Sequence, residues 1–193
     1  MNTHAQALDN ELVRQFYLGN DNALKTLIER HKEKIYSTIF YLVKDKQLAE
    51  DLFQDVFMKI IDTIRANRYN EEGKFLHWAL RISHNLCVDY FRREKRNPLF
   101  SGDENNLFDF LDVRSDNVPD GKMQQSQSHD KLRKMIDMLP EEQREVIILR
   151  HYAELSFKEI AQITNSSINT CLGRMRYSLI NLRKMIEENQ VYI

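Results

Sequence analysis

The chain has 193 residues, 42% of them hydrophobic, with only 5 Gly and 3 Pro and a formal net charge of −1. This length bounds it to one or two small domains, and the scarcity of Gly and Pro predicts long uninterrupted helices, an all-α protein with real apolar cores. Cys87 and Cys171 show neither disulfide nor zinc spacing, and neither a signal-peptide pattern nor a run of 18 apolar residues is present, so a reduced, cytoplasmic protein with no metal, no cofactor and no membrane insertion is expected.

Taken in order, residues 9–18 place Leu12, Val13, Phe16 and Tyr17 at helical spacing and close at Gly19-Asn20. Asp21 or Asn22 is suited to cap a second helix, striped by Leu24, Leu27, Ile28, Ile35, Ile39 and Leu42. A third helix over 46–64 buries Leu52, Phe53, Val56, Phe57 and Ile60, and its other face shows Asp51, Gln54, Asp55 and Asp62. Residues 65–73 are polar and end in Gly, a loop pattern. Residues 74–96 contain no helix breaker. Phe75, Trp78, Ala79, Ile82, Leu86, Val88 and Phe91 form the apolar stripe of this segment, Arg81, His84 and Asn85 lie off it, and Arg92, Arg93, Lys95 and Arg96 end it. By itself this basic amphipathic helix suits an anionic membrane, a groove on another protein, or nucleic acid. The four helices are expected to share one core, a domain over about 5–96.

Residues 97–128 are punctuated by Pro98, Gly102, Pro119 and Gly121 and are rich in Asp, Asn, Ser and Gln, which reads as a flexible acidic linker. The net charge conceals a pattern: residues 65–96 carry 8 basic and 4 acidic groups, 97–130 carry 2 and 7, and 131–193 carry 10 and 8. A protein that gripped DNA unaided would usually be basic overall, so two basic patches around an acidic segment suggest a DNA reader that works with a partner.

Helical periodicity resumes in a second domain over 129–188. Leu132, Met135, Ile136 and Leu139 precede Pro140, which is placed in the first turn of the next helix, with Val146, Ile147 and Leu149 as its core face. In LSFKEIAQI, Ser156 and Glu159 have capping-box spacing, and Leu155 and Ile160 that of a hydrophobic staple. A break near Thr164-Asn165 and a restart at Ser166 or Ser167 give the helix-turn-helix pattern. Asn169 and Thr170 open its last helix, and Arg174, Arg176, Arg183 and Lys184 follow with no acid between Ile168 and Ile186, as expected of a helix that meets base edges and phosphates. His77, His84 and Cys87 lie within one helix, but no carboxylate cluster joins them, so an enzyme is not expected.

Together these features resemble the extracytoplasmic-function branch of the sigma-70 family of bacterial RNA polymerase sigma factors. The stretches that carry the likeness are AEDLFQDVFMKI, KFLHWALRISHNLCVDYFRR, LPEEQREVIILRHY, LSFKEIAQI and SINTCLGRMRYSLINLRK, in that order, across nearly all of the chain except the linker. The resemblance implies two helical domains, one that docks on core RNA polymerase and handles the −10 promoter element and one that reads the −35 element. It assigns Asp51, Gln54 and Asp55 to the β′ clamp helices, and residues 129–188 to the β flap as well as to DNA. Asn85 would face the duplex edge of the −10 element beside Lys74 and Arg81, with Arg92, Arg93, Lys95 and Arg96 on phosphates. Asn67, Tyr69 and Asn70 would form a pocket for a flipped base, and Trp78 would either stack on a melted base or pack in the core. On the −35 side it points to Ser167, Asn169, Thr170, Gly173, Arg174, Arg176 and Tyr177. Thr170 and Arg174 would touch phosphates, and Arg176 and Tyr177 would be the remaining base readers. Arg183 and Lys184 would be phosphate contacts or solvated charges. Leu172 and Gly173 depart from the family's usual Lys/Arg and Ser. The linker would thread the polymerase cleft towards the RNA exit path, or be a disordered tether with acids for solubility. Members are commonly restrained by an anti-sigma factor, though no residue here identifies one, and no small-molecule substrate is implied. The rival reading is a helix-turn-helix regulator that acts without being a polymerase subunit.

Overall fold

The computed structural model describes residues 8–70, 74–96 and 131–188. The amino-terminal unit contains α1 (Asp9–Tyr17), α2 (Asp21–Val43), α3 (Lys46–Arg65) and α4 (Phe75–Arg96). The cap of α2 corrects the expectation of Asp21 or Asn22. Asn20 has the extended backbone of a cap and its side chain accepts from the Asn22 N–H at 3.1 Å, while Asp21 sits in the first turn, where the helix dipole favours an acid. Asp45 caps α3 by accepting from the Leu48 N–H at 2.8 Å. Both α1 and α3 close through a left-handed residue, which lets the next N–H reach back to an orphan carbonyl. At α1 that residue is Gly19, φ 90°. At α3 it is Asn67, φ 54°, with the Asn67 N–H donating to Ile64 O at 2.8 Å and the Arg68 N–H to Thr63 O at 3.0 Å.

The apolar stripes converge on one core. Leu27, Ile35 and Ile39 of α2, Val56, Ile60 and Ile64 of α3, and Phe75, Ala79 and Leu80 of α4 are all buried in it. The stripe of α4 differs from the expected one. Its buried line is Phe75, Ala79, Leu80, Ser83, His84 and Cys87, and Trp78, Ile82, Leu86, Val88 and Phe91 are half-buried flanks. His84, expected off the stripe, is 5% exposed. The cause is that α4 is covered on a second side, by the carboxy-terminal unit, which sequence periodicity does not register. The buried Ser83 is satisfied within α4, its hydroxyl donating to Ala79 O at 2.9 Å.

That second unit contains α5 (residues 131–137), α6 (Glu141–Ile147), α7 (Phe157–Ile163) and α8 (Ile168–Glu188). Pro140, expected inside the first turn of α6, is the cap residue before it, with ψ 143°. The sequence did not suggest that α6 continues as a π-helical turn, Ile148–Tyr152, closed by the Ala153 N–H donating to Ile148 O at 3.2 Å. The wider turn brings both Ile148 and Leu149 inward.

The two units touch. Tyr41 stacks on Tyr152 with ring centroids 3.9 Å apart, Lys34 pairs with Glu154, Lys44 Nζ lies 2.8 Å from Asp137 Oδ1, and His84 Nε2 lies 2.7 Å from Glu145 Oε1. Burial lowers the Lys44 pKa, and the Asp137 hydrogen bond opposes that shift. Val146, Leu149, Ala153 and Leu155 join the same apolar cluster as the amino-terminal core. The expected linker, 97–128, lies outside the described residues.

Candidate nucleic-acid interface

On α3, Asp51, Gln54 and Asp55 are exposed at i, i+3 and i+4, while Leu52 and Val56 are buried on the opposite side. They form one polar face that the fold does not use. After α3, Asn67 and Asn70 are exposed but Tyr69 is not. The Tyr69 ring lies 4.3 Å from Trp78 and 6.2 Å from Phe75 between centroids. Tyr69, expected beside Asn67 and Asn70 in a pocket, is thus buried against the start of α4, where burial of its ring is favourable. Trp78, read either as a base-stacking or as a core residue, is half-buried over the same cluster. Residues 71–73 of the expected pocket loop lie outside the described residues. Lys74, Arg81, Asn85, Arg92, Arg93, Lys95 and Arg96 are exposed along and beyond one side of α4. This arrangement supplies amides near a loop and a run of cations past it.

The second surface is built on α7 and α8. The capping box at α7 is complete. The Ser156 N–H donates to Glu159 Oε2 at 2.7 Å, the Ser156 hydroxyl to the same oxygen at 2.6 Å, and the Glu159 N–H to Ser156 Oγ at 3.3 Å. The Ser156 hydroxyl bond is the main reason the Glu159 carboxyl is held below its ordinary value, with Lys74 and His77 adding smaller attractions. The turn uses Asn165 at φ 51°, with the Ser166 N–H donating to Ala161 O at 2.9 Å. Ser167, rather than Ser166, caps α8: its Oγ accepts from the Thr170 N–H at 3.0 Å.

Helix α8 is anchored along a narrow line of Cys171, Ser178 and Leu182. Ser178 donates to Arg174 O at 2.6 Å, which satisfies its buried hydroxyl. Ser167, Asn169, Thr170, Arg176, Tyr177, Arg183 and Lys184 are exposed, and Gly173 is half-exposed among them. Arg174, expected to touch phosphate, has its Nη2 2.9 Å from Glu142 Oε1 and its side chain 21% exposed. Sequence reasoning passed over Ile168, Leu179 and Ile180, which are exposed at 45%, 55% and 48% beside those cations. Ile180 lies across the helix from Cys171 and Leu182, which was the available signal for it, whereas Ile168 and Leu179 flank that line.

Among the described residues no group of three or more His, Cys, Asp or Glu side chains is placed to hold a metal ion. His84 is engaged by Glu145, and burial pushes the Cys87 thiol up to about 12. Among the described residues no helix is long and apolar enough to cross a membrane.

Comparison with known proteins agrees with this layout. Residues 27–97 match Sigma-70 region 2, and residues 129–173 match Sigma-70 region 4. The chain is 27% identical over 183 residues to the ECF RNA polymerase sigma factor SigW of Bacillus subtilis (strain 168), covering 91% of this chain and 95% of that one. It is 26% identical over 186 residues to the ECF RNA polymerase sigma-E factor of Haemophilus influenzae, covering 94% and 95%. Two solved structures share the fold at 20% identity. CnrH, in complex with the cytosolic domain of CnrY, has a TM-score of 0.66 over 94% of this chain and 99% of its own. The sigma factor RpoE of Bartonella quintana, in complex with the anti-sigma factor NepR, has 0.64 over 85% and 96%. The α1–α4 unit with its acidic and basic faces, the capped helix-turn-helix and these matches together place the chain in the extracytoplasmic-function branch of the sigma-70 family of RNA polymerase sigma factors.

Proposed function

We propose that this sigma factor divides promoter recognition between its two basic surfaces while a third, acidic surface holds it on core polymerase. The observation that carries this reading is that the three faces are separately exposed on α3, α4 and α8. Residues 5–96 form the unit for core and −10 DNA, 129–188 the unit for −35 DNA and the β flap, and 97–128 the tether between them. Asp51, Gln54 and Asp55 take the β′ clamp helices. Asn67 and Asn70 read a base extruded from the −10 element, a step that costs a few kcal/mol and selects the base whose edge the amides satisfy. Asn85 meets the duplex edge, and Arg92, Arg93, Lys95 and Arg96 neutralise its phosphates. Thr170, Arg176 and Tyr177 approach the −35 groove, with Arg183 and Lys184 on the backbone. The chain thus acts as a DNA-recognition subunit, not an enzyme, in the cytoplasm, and an anti-sigma factor is a further partner by analogy with RpoE.

The test is transcription in vitro with purified core polymerase. Promoter-specific transcripts and co-elution with core are expected. Neither on any genomic fragment would return the rival, a regulator that acts without polymerase. Within the −10 reading, Asn67→Gly keeps the left-handed backbone of the α3 terminus and removes only the amide. It should change −10 preference and leave −35 preference alone, and an equal loss on all promoters would remove the pocket.

A further inference from the structure

Two features of α8 have no explanation inside the chain. The first is Gly173, in the second turn of a 21-residue helix. It is among the costliest non-proline residues at such a position. Its φ does not require glycine, and a Cβ built there would meet no atom within 4 Å. Nothing in the fold needs the missing side chain, so the space is kept for something outside it. The second feature is Leu172, 46% exposed, and Ile168, one turn before it and 45% exposed, flanking the buried line of Cys171 and Leu182. Around them are the exposed Asn169, Arg176 and Tyr177, and no acid occurs from Ile168 to Ile186. This surface complements a polyanion, yet its leading residues are apolar.

In the major groove each base pair presents hydrogen-bonding edges and, at thymine alone, an apolar group, the C5-methyl. We propose that α8 reads the −35 duplex partly through that methyl group: Leu172 packs on it, Ile168 flanks it, and Gly173 lets the helix backbone settle against the groove wall. This rests on the assignment of α8 to −35 DNA and names the feature recognised. It also accounts for the departure of Leu172 from a polar residue. A charged side chain there would reach for a guanine or a phosphate, whereas leucine gains only where a methyl group waits.

The experiment uses holoenzyme assembled from the full chain and core polymerase, on a promoter found by mapping start sites after overproduction. Each −35 thymine is replaced in turn by deoxyuridine, which removes the methyl group and nothing else. One position should lose about fourfold in initiation, the equivalent of ~0.8 kcal/mol for one buried methylene-sized group. Leu172→Ala should lose a similar factor on the thymine template and become indifferent to deoxyuridine. Gly173→Ala should raise the thermal midpoint of the free protein while weakening −35-dependent initiation, opposite signs that a merely structural glycine would not give. If a scrambled −35 element abolishes initiation but every deoxyuridine template behaves like thymine, the −35 assignment stands and the methyl contact is overturned. Sensitivity to deoxyuridine that persists in Leu172→Ala overturns the assignment of the contact to Leu172. If scrambling the −35 element changes nothing, the assignment of α8 itself fails and the inference falls with it. Unaltered initiation by Gly173→Ala overturns the close approach.

Discussion

Helices α4 and α8 are nearly equal in length, 22 and 21 residues, and both expose arginines, yet the fold holds them in opposite ways. α4 is enclosed by α2 and α3 and, through His84, by α6 of the other unit, so Arg81, Asn85, Asp89 and its basic end are what face outward. α8 is anchored along Cys171, Ser178 and Leu182 and leaves most of its circumference exposed, including Leu172, Leu179 and Ile180. A helix enclosed on two sides has most of its residues chosen by packing. A helix held by one seam has outward residues that packing does not choose, and their identity is then a record of what they meet.

The contrast is most easily broken by truncation. Phe75→Ala, at the buried start of α4, should cost about 3–5 kcal/mol in denaturant unfolding, whereas Leu172→Ala on α8 should stay within about 0.5 kcal/mol. Comparable losses would show that α8 is packed after all. The link between the units is next. His84→Ala leaves the partly buried Glu145 carboxylate without its partner and should cost about 1–3 kcal/mol. A double-mutant cycle with Glu145→Gln should give a coupling energy that disappears if the two units do not meet in solution.

The cap of α7 should matter less. Ser156→Ala should lower stability by about 1 kcal/mol. Because the Glu159 pKa is depressed in the folded state, its contribution is present above the ordinary carboxylate value and is lost as pH falls through the folded one. The gap between wild type and Ser156→Ala should therefore narrow on acidification, as thermal midpoints across pH 3 to 7 would reveal. The smallest effect on stability is expected from Asp51→Ala with Gln54→Ala, within about 0.5 kcal/mol, together with weakened co-elution with core polymerase. Unchanged co-elution would detach the α3 face from the polymerase.

Much of this was legible in advance, for local reasons. Capping boxes, helix stops and the acid-free run of α8 depend on neighbours a few residues apart, so Ser156, Glu159 and Asn165 could be read directly. Tyr69, His84 and Arg174 could not. Each is a polar or aromatic side chain that meets a residue on another element: Trp78, Glu145 and Glu142 respectively. The π-helical turn at Ile148–Tyr152 was also hidden, since the apolar run there fits an ordinary helix equally well.

From the sequence alone came an all-helical chain, its helix boundaries to within a residue or two, the helix-turn-helix, and the residues that carry the family likeness. These follow from the 3.6-residue period and from capping chemistry, which act along the chain. Tertiary structure alone decided which side of each helix stays available to a partner. It placed His84 in a seam and Arg174 against Glu142, and left Leu172 and Gly173 facing outward. Burial is set by what comes to lie across from a side chain, and residues 61 positions apart, such as His84 and Glu145, meet only when the chain has folded.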